Sequence, residues 1–296
     1  MNKLEKFLSL PEFFSNENRK PAIILLLAPL ILTTWKYYGS KSFYLAHLSD
    51  TLVIFNSAAM TAEWYTYFSA FVLMGLISIV TIKFIFRESL AEYGLQIGDW
   101  KFWIPAVLVV GAVMVALSFP SAKDPQYIAE YPLYKGAGDS MKMFAIHAFA
   151  YLIFYFSWEL FFRGFMQCGL TGRFGIWGAI LVQVALSCIV HIGKPDSEIY
   201  SSILGGLVWG IMVYRSKSIW PSIITHWILG ISLDYFICFS YCFPWFSPEN
   251  LDKDLGKKYD KQTAHHWQAP TPRNRWFDTC NTCLLQFTCD YLLEQD

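Results

Sequence analysis

Apolar residues gather in runs long enough to cross a bilayer, and polar residues gather in the short intervals between them. A helix rises 1.5 Å per residue, so about 20 apolar residues match a hydrocarbon layer ~30 Å thick. Runs of this kind cover residues 21–38, 64–86, 102–120, 141–166, 176–192, 200–214 and 219–243. Residues 51–60 are apolar but too short to span alone; inserted with its neighbours, 43–60 would make an eighth crossing. A charged patch (Arg87, Glu88, Glu92, Asp99, Lys101) follows the second run, and a polar loop rich in Pro, Lys, Asp and Glu fills 121–140. Lipid offers the backbone no hydrogen-bond partners, so each run must satisfy its own as a helix. The pattern predicts an all-α fold, a polytopic membrane helix bundle of about seven to eight transmembrane helices.

The same pattern divides the chain. Residues 1–20, with Lys3, Lys6, Arg19 and Lys20, read as an interfacial or cytoplasmic lead. Residues 21–140 hold the N-terminal transmembrane helices, 141–246 a core that carries the chemistry, and 247–296 a polar tail expected to lack fixed structure. The tail holds His265, His266, Cys280, Cys283 and Cys289, whose spacing fits no compact zinc finger. Basic residues favour the cytoplasmic side, which puts the N-terminus inside. The opening residues Met1-Asn-Lys-Leu-Glu-Lys-Phe show no cleavable signal pattern.

Composition sharpens this picture. Charged residues make up 16% and hydrophobic ones 55%, against roughly a quarter charged in soluble domains. The chain reads as an integral, multi-pass membrane protein, expected in the plasma membrane, with the lipid bilayer as its first partner. A formal net charge of zero leaves no footprint for nucleic acid. Cys168, Cys188, Cys238 and Cys242 lie in or beside apolar runs and read as small fillers.

Candidate chemistry comes from polar residues inside the runs. Glu159 and Arg163 stand four residues apart, on one helix face, where opposite charges can pair. Ionisable groups at bilayer depth cost roughly 2.5–3.5 kcal/mol each by insertion scales, so they mark function or a structural lock between helices. They belong to a stripe, His147, Tyr151, Tyr155, Glu159, Arg163. Two further stripes follow on later runs: Gln183, Ser187, His191 and Ser222, His226, Gly230, Asp234. Lipid rejects all three, so they must face one another or a wet cavity. Ser202, Gly206 and Gly210 make small-residue steps that allow close helix approach. With reversals placed near Gly172 and Lys217, Glu159, His191 and His226 differ in depth by about 15 Å, which tilt and long side chains must close. Glu198, seven residues past His191, is within reach of the same ring.

A carboxylate, two imidazoles and an arginine suit the attack of an activated water on an acyl carbon, with Glu159 as general base, His226 donating to the oxyanion and His191 orienting the water. Glu, His and His also suit zinc, but they come from three helices without a His-x-x-x-His pair, so no cofactor or metal is the stronger expectation. No Gly-x-Ser-x-Gly and no serine or cysteine beside a histidine marks a nucleophile. A transporter would show internal repeats and broken helices, and no repeat is visible.

At these residues the chain resembles the CAAX protease and bacteriocin-processing family of intramembrane endopeptidases, also called the Abi family. That family carries Glu-Glu-x-x-x-Arg, Phe-x-x-x-His and His-x-x-x-Asn motifs on successive core helices. The corresponding stretches here are Trp158-Glu159-Leu-Phe-Phe-Arg163, Ser187-Cys-Ile-Val-His191 and His226-Trp-Ile-Leu-Gly230. The resemblance covers roughly 140–240. It implies a bundle of about eight membrane helices around a catalytic cavity, and an endopeptidase that cleaves a membrane-presented peptide or protein of the CAAX or bacteriocin-leader type. Trp158, Ser187 and Gly230 depart from the motifs. Three readings stay open: Glu159 takes over as base, Glu198 supplies the missing carboxylate, or the protein is catalytically inactive with an immunity or chaperone-like role. Asp234, one turn past Gly230, is the candidate replacement for the asparagine.

Overall fold

The computed structural model describes residues 15–55 and 57–239; the expected tail at 247–296, with Cys280 and Cys283, and most of the lead lie outside them, as does Cys242. Helices are α1 (Asn16–Tyr38), α2 (Lys41–His47), α3 (Ala58–Phe86), α4 (Trp100–Ser121) and α5 (Pro125–Glu130). The core follows with α6 (Met141–Glu159), a π-helical continuation (Leu160–Cys168), α7 (Gly169–Val190), α8 (Asp196–Ser216) and α9 (Trp220–Phe239). No strand occurs among the described residues. Helix starts fall where short polar side chains take an orphan amide: Ser57 accepts from Met60 N, Asp99 from Phe102 N and Ser140 from Met143 N.

Among the described residues, five helical stretches are long and apolar enough to cross a membrane: α1, α3, α4, Met141–Val190 and α9. This is an integral membrane protein by its helices. Its outward faces are apolar, as on α4, where Leu108 and Val109 are about 70% and 67% exposed, a surface suited to lipid and not to water. Met141–Val190 is one helical run of 50 residues broken only at Gly175, with φ 67° and ψ 172°. That backbone region is essentially restricted to glycine. The rings of Trp158 and His191 lie 5.4 Å apart, so the chain doubles back there and the run makes two crossings. Helix α8 has 21 residues, enough to cross, although its serines and glycines dilute its hydropathy. Residues 43–55 hold the rest of α2 and a loop, and 58–60 already belong to α3, so no eighth span forms there.

Close packing holds the core where the small residues stand. A Cβ on Gly206 would sit 2.9 Å from Val184, and one on Gly210 would sit 2.9 Å from Gln167 Oε1. Polar side chains then reach the backbone of α8 across the contact. Gln183 Nε2 donates to Gly206 O at 3.0 Å and Gln167 Nε2 to Gly210 O at 2.8 Å. Such bonds replace the hydrophobic drive that lipid does not supply.

The start of α9 is clamped by the loop before α4. Ile219 N donates to Gly94 O at 3.0 Å, Ser218 Oγ to Gln96 O at 2.7 Å and Asp99 N to Ser216 O at 2.7 Å. Gly98 makes the contact possible: its φ is +63°, and a Cβ there would lie 2.1 Å from Ser216 O. Gly98→Ala should therefore destabilise the fold by more than about 1 kcal/mol, from strain and clash together. Thermal unfolding in detergent reads this directly, and an unchanged midpoint would mean that the clamp does not bear on stability.

Candidate active site

Glu159 ends α6 and is fully buried. Its Oε1 accepts from Arg163 Nη1 at 3.0 Å and from His226 Nδ1 at 2.7 Å. The π-helical turns begin at the next residue, a distortion that recurs at functional sites. Arg163 is buried too, with its guanidinium carbon 5.2 Å from the Trp209 ring centre. Glu159 Oε2 and Arg163 Nε have no hydrogen-bond partner.

His226 stands between this pair and open space. It stacks on Trp209 at 3.9 Å and meets Tyr155 at 4.4 Å; Trp209 Nε1 in turn donates to Thr225 Oγ1 at 2.9 Å. His226, His191, Trp158, Tyr155 and Glu198 line one cavity of about 490 Å³. Glu159 is not on its wall, so His226, expected as an oxyanion donor, takes the position expected for the carboxylate. His191 is anchored from its own helix, with Nδ1 2.6 Å from Ser187 O. A carbonyl or carboxylate oxygen only accepts, so each Nδ1 carries a proton, and in the neutral ring each Nε2 keeps a lone pair. In that form two imidazoles on the wall are able to accept a proton.

The depth offset expected from residue counting is absent, for two reasons. The reversal lies at Gly175 and not Gly172, which leaves Glu159 and His191 each 16 residues from it. At the other side, a Cβ on Gly164 would lie 2.9 Å from Tyr93 O, and one on Gly94 would lie 2.9 Å from Ile219. The turn that starts α9 is therefore level with Gly164, midway along the core run, and His226 meets Glu159 directly.

The other candidates divide. Glu198, in the first turn of α8, accepts from Tyr131 Oη at 2.7 Å and keeps Oε2 buried without a partner. Trp158, at the first motif position, packs among Phe162, Phe154, Trp35 and His191. Asp234 does not reach the cavity wall; its Oδ2 lies 2.7 Å from His147 Nε2, while His147 Nδ1 lies 2.5 Å from Glu63 Oε1. Sequence reasoning passed over Glu63 because the second span was drawn from residue 64. An acid followed four residues later by Tyr67, within an apolar helix, was the available signal. At Gly230 the space for a side chain is taken, since a Cβ there would fall 2.3 Å from Tyr155 Oη. No group of three or more His, Cys, Asp or Glu side chains is placed to hold a metal ion among the described residues.

Residues 140–231 match the family model of Rce1-like, type II CAAX prenyl endopeptidases. The matched stretch opens at the Ser140 cap of α6 and closes just past Gly230, so it spans Glu159, Arg163, His191 and His226. It bears out the resemblance read from the three motifs, and it gives this core the pattern of a protease family. No curated protein and no solved structure matches the chain. Outside the Rce1-like stretch lie Glu63, which pairs with His147, and Trp35, which packs on Trp158. Of these, Trp35 is on the cavity wall, with Lys36, Thr66 and Tyr67, so the N-terminal helices line the cavity too, while the Glu63–His147 pair lies off the wall.

The ion pair makes a direct prediction. Removing one partner of a buried pair leaves a bare charge and costs about 3–5 kcal/mol. Arg163→Leu should lower the unfolding midpoint in detergent steeply, and Glu159→Gln added to it should recover part of the loss, because the amide still accepts from His226. Equal midpoints for single and double variants would show that the charge pairing contributes nothing.

Proposed function

We propose that this protein is an intramembrane endopeptidase of the plasma membrane that hydrolyses a membrane-presented peptide of the CAAX or bacteriocin-leader type. The observation that carries the reading is the Glu159–His226 contact at 2.7 Å, with His226 on the cavity wall. A buried carboxylate holding Nδ1–H fixes the tautomer and leaves Nε2 as general base, the logic of an acid–histidine pair. A water held by Nε2 of His226 and of His191 would sit between two acceptors. Its oxygen bonds to the scissile carbonyl carbon as its proton passes to His226 Nε2. The C–N bond then breaks, and that proton moves to the leaving nitrogen, which frees an acid and an amine and returns neutral His226. Glu159 balances the transient imidazolium, and Arg163 keeps Glu159 ionised throughout. Glu198 supports the opposite wall through Tyr131. The step uses no cofactor.

The test is cleavage by the purified protein in lipid nanodiscs, against a panel of prenylated C-terminal peptides and leader peptides. His226→Ala should lower kcat by about 10²–10⁴, the usual worth of a positioned base, and Glu159→Gln should lower it by less. The rate should fall at acid pH as the imidazole takes up a proton. Chelators should leave it unchanged; loss that zinc restores would replace the water–histidine step with a metal one. A wild-type protein inert across the panel would favour the non-catalytic reading, for which Trp158 at the first motif position is the clue.

A further inference from the structure

The site as built has two candidate bases, and the oxygen that becomes negative when water adds to a carbonyl needs a donor. The wall offers the Lys36, Lys41 and Lys194 ammoniums, held by Val190 O, Leu133 O and Glu130, the Trp158 indole N–H, and tyrosine hydroxyls. In their neutral form both imidazoles offer lone pairs to the cavity, because their Nδ1 protons are committed to Glu159 and to Ser187 O. The Tyr131 hydroxyl is committed to Glu198 at 2.7 Å, and the Tyr67 hydroxyl lies 3.4 Å from Glu63 Oε1. The Tyr151 hydroxyl, also on the wall, hydrogen-bonds to the Tyr155 oxygen and so leaves the Tyr155 proton to be given elsewhere. Tyr155 stands one turn before Glu159 on α6, only 5% exposed, yet on the cavity wall with its ring 4.4 Å from His226.

The hydroxyl of Tyr155 also explains the glycine opposite. Gly230 is one turn after His226 on α9, and a Cβ there would fall 2.3 Å from Tyr155 Oη and 2.9 Å from Tyr155 Cε2. No side chain fits at 230 while the phenol is there. The phenol oxygen thus reaches across from α6 to the backbone of α9, beside the general base, into the place a residue-230 side chain would fill.

We propose that the Tyr155 hydroxyl is the oxyanion donor of this site and that Gly230 exists to admit it. As the water oxygen bonds to the carbonyl carbon, the carbonyl oxygen gains the electron pair of the broken π bond. Tyr155 donates a hydrogen bond to that oxygen and keeps its proton, so His226 remains the only group that gains and returns one. Such a donor stabilises charge that exists only in the transition state, and it acts on kcat more than on KM.

This rests on the peptidase reading, and the experiment separates the two. Using the peptide that the wild-type protein cleaves fastest in nanodiscs, Tyr155→Phe should lower kcat about 10²–10³-fold, the usual loss for one oxyanion donor. KM and the unfolding midpoint should stay close to wild type, since the ring remains. Tyr155→Ala should lose as much, and Tyr155→Ala with Gly230→Asn should regain at least tenfold over Tyr155→Ala alone, because an amide donor then enters from the α9 side. A residue that only packs would not show that rescue. Wild-type kcat in Tyr155→Phe overturns the inference and leaves the peptidase reading standing. So does a loss found instead in Trp158→Phe, whose indole N–H would then be shown to be the donor. A wild-type protein that cleaves nothing overturns both.

Discussion

A carboxylate and a guanidinium sealed in an apolar bundle constrain everything around them. Neither Glu159 nor Arg163 has water to turn to, so each needs the other at hydrogen-bond distance, and the helix must deliver both on one face. Spacing of four residues does so. The remaining acceptor capacity of Glu159 Oε1 goes to His226, which draws α9 against α6 at that depth. His226 is therefore held by charge at one nitrogen and by the Trp209 stack on its face. A side chain fixed in this way has one free atom, Nε2, and the fold leaves it on a cavity.

The hairpin and the clamp set the depth at which this happens. Gly175 lets the longest helical run reverse so that His191 returns level with Glu159. Gly98 and the 94–99 loop seat the start of α9 partway along the core run rather than at its far end. A glycine in a backbone region closed to other residues, and another in contact with a carbonyl, are small features. Without them the two imidazoles would not share a wall, whatever their helices contained.

Much of this was legible from the chain, and the reasons for the rest are specific. Run lengths and polar stripes report burial and face, so the helices, the Glu159–Arg163 pair and the gathering of His191 and His226 followed from periodicity. Depth did not, because residue counting needs the exact place of each reversal. Two glycines in Gly169-Leu-Thr-Gly172-Arg-Phe-Gly175 offered themselves and the later one turns the chain. The role of Asp234 was equally hidden. Its own stripe points it toward the site, but its partner His147 is drawn the other way by Glu63, a residue 171 positions earlier than Asp234. Pairings of that range leave no local signal. Glu63 itself fell at the boundary of an apolar run, where an acid looks like the end of a span and not like part of one.

Two of the three replaced motif positions are best understood together. Trp158 removes a carboxylate from the cavity wall and adds an aromatic face beside His191; Gly230 removes an amide and opens space that the Tyr155 phenol fills. If both were decay, the vacated volume would collapse or fill with apolar side chains, since an unused polar site in a membrane core carries only cost. The cavity instead retains two oriented imidazoles, a carboxylate held by Tyr131, and a hydroxyl against α9. The intact Glu159–Arg163–His226 connection argues the same way, because a structural lock alone has no need of the histidine's free nitrogen on a cavity. On the proposed peptidase reading, the chain has changed which side chains supply the base and the donor. On that reading it has kept a cavity whose wall brings His226 and His191 together.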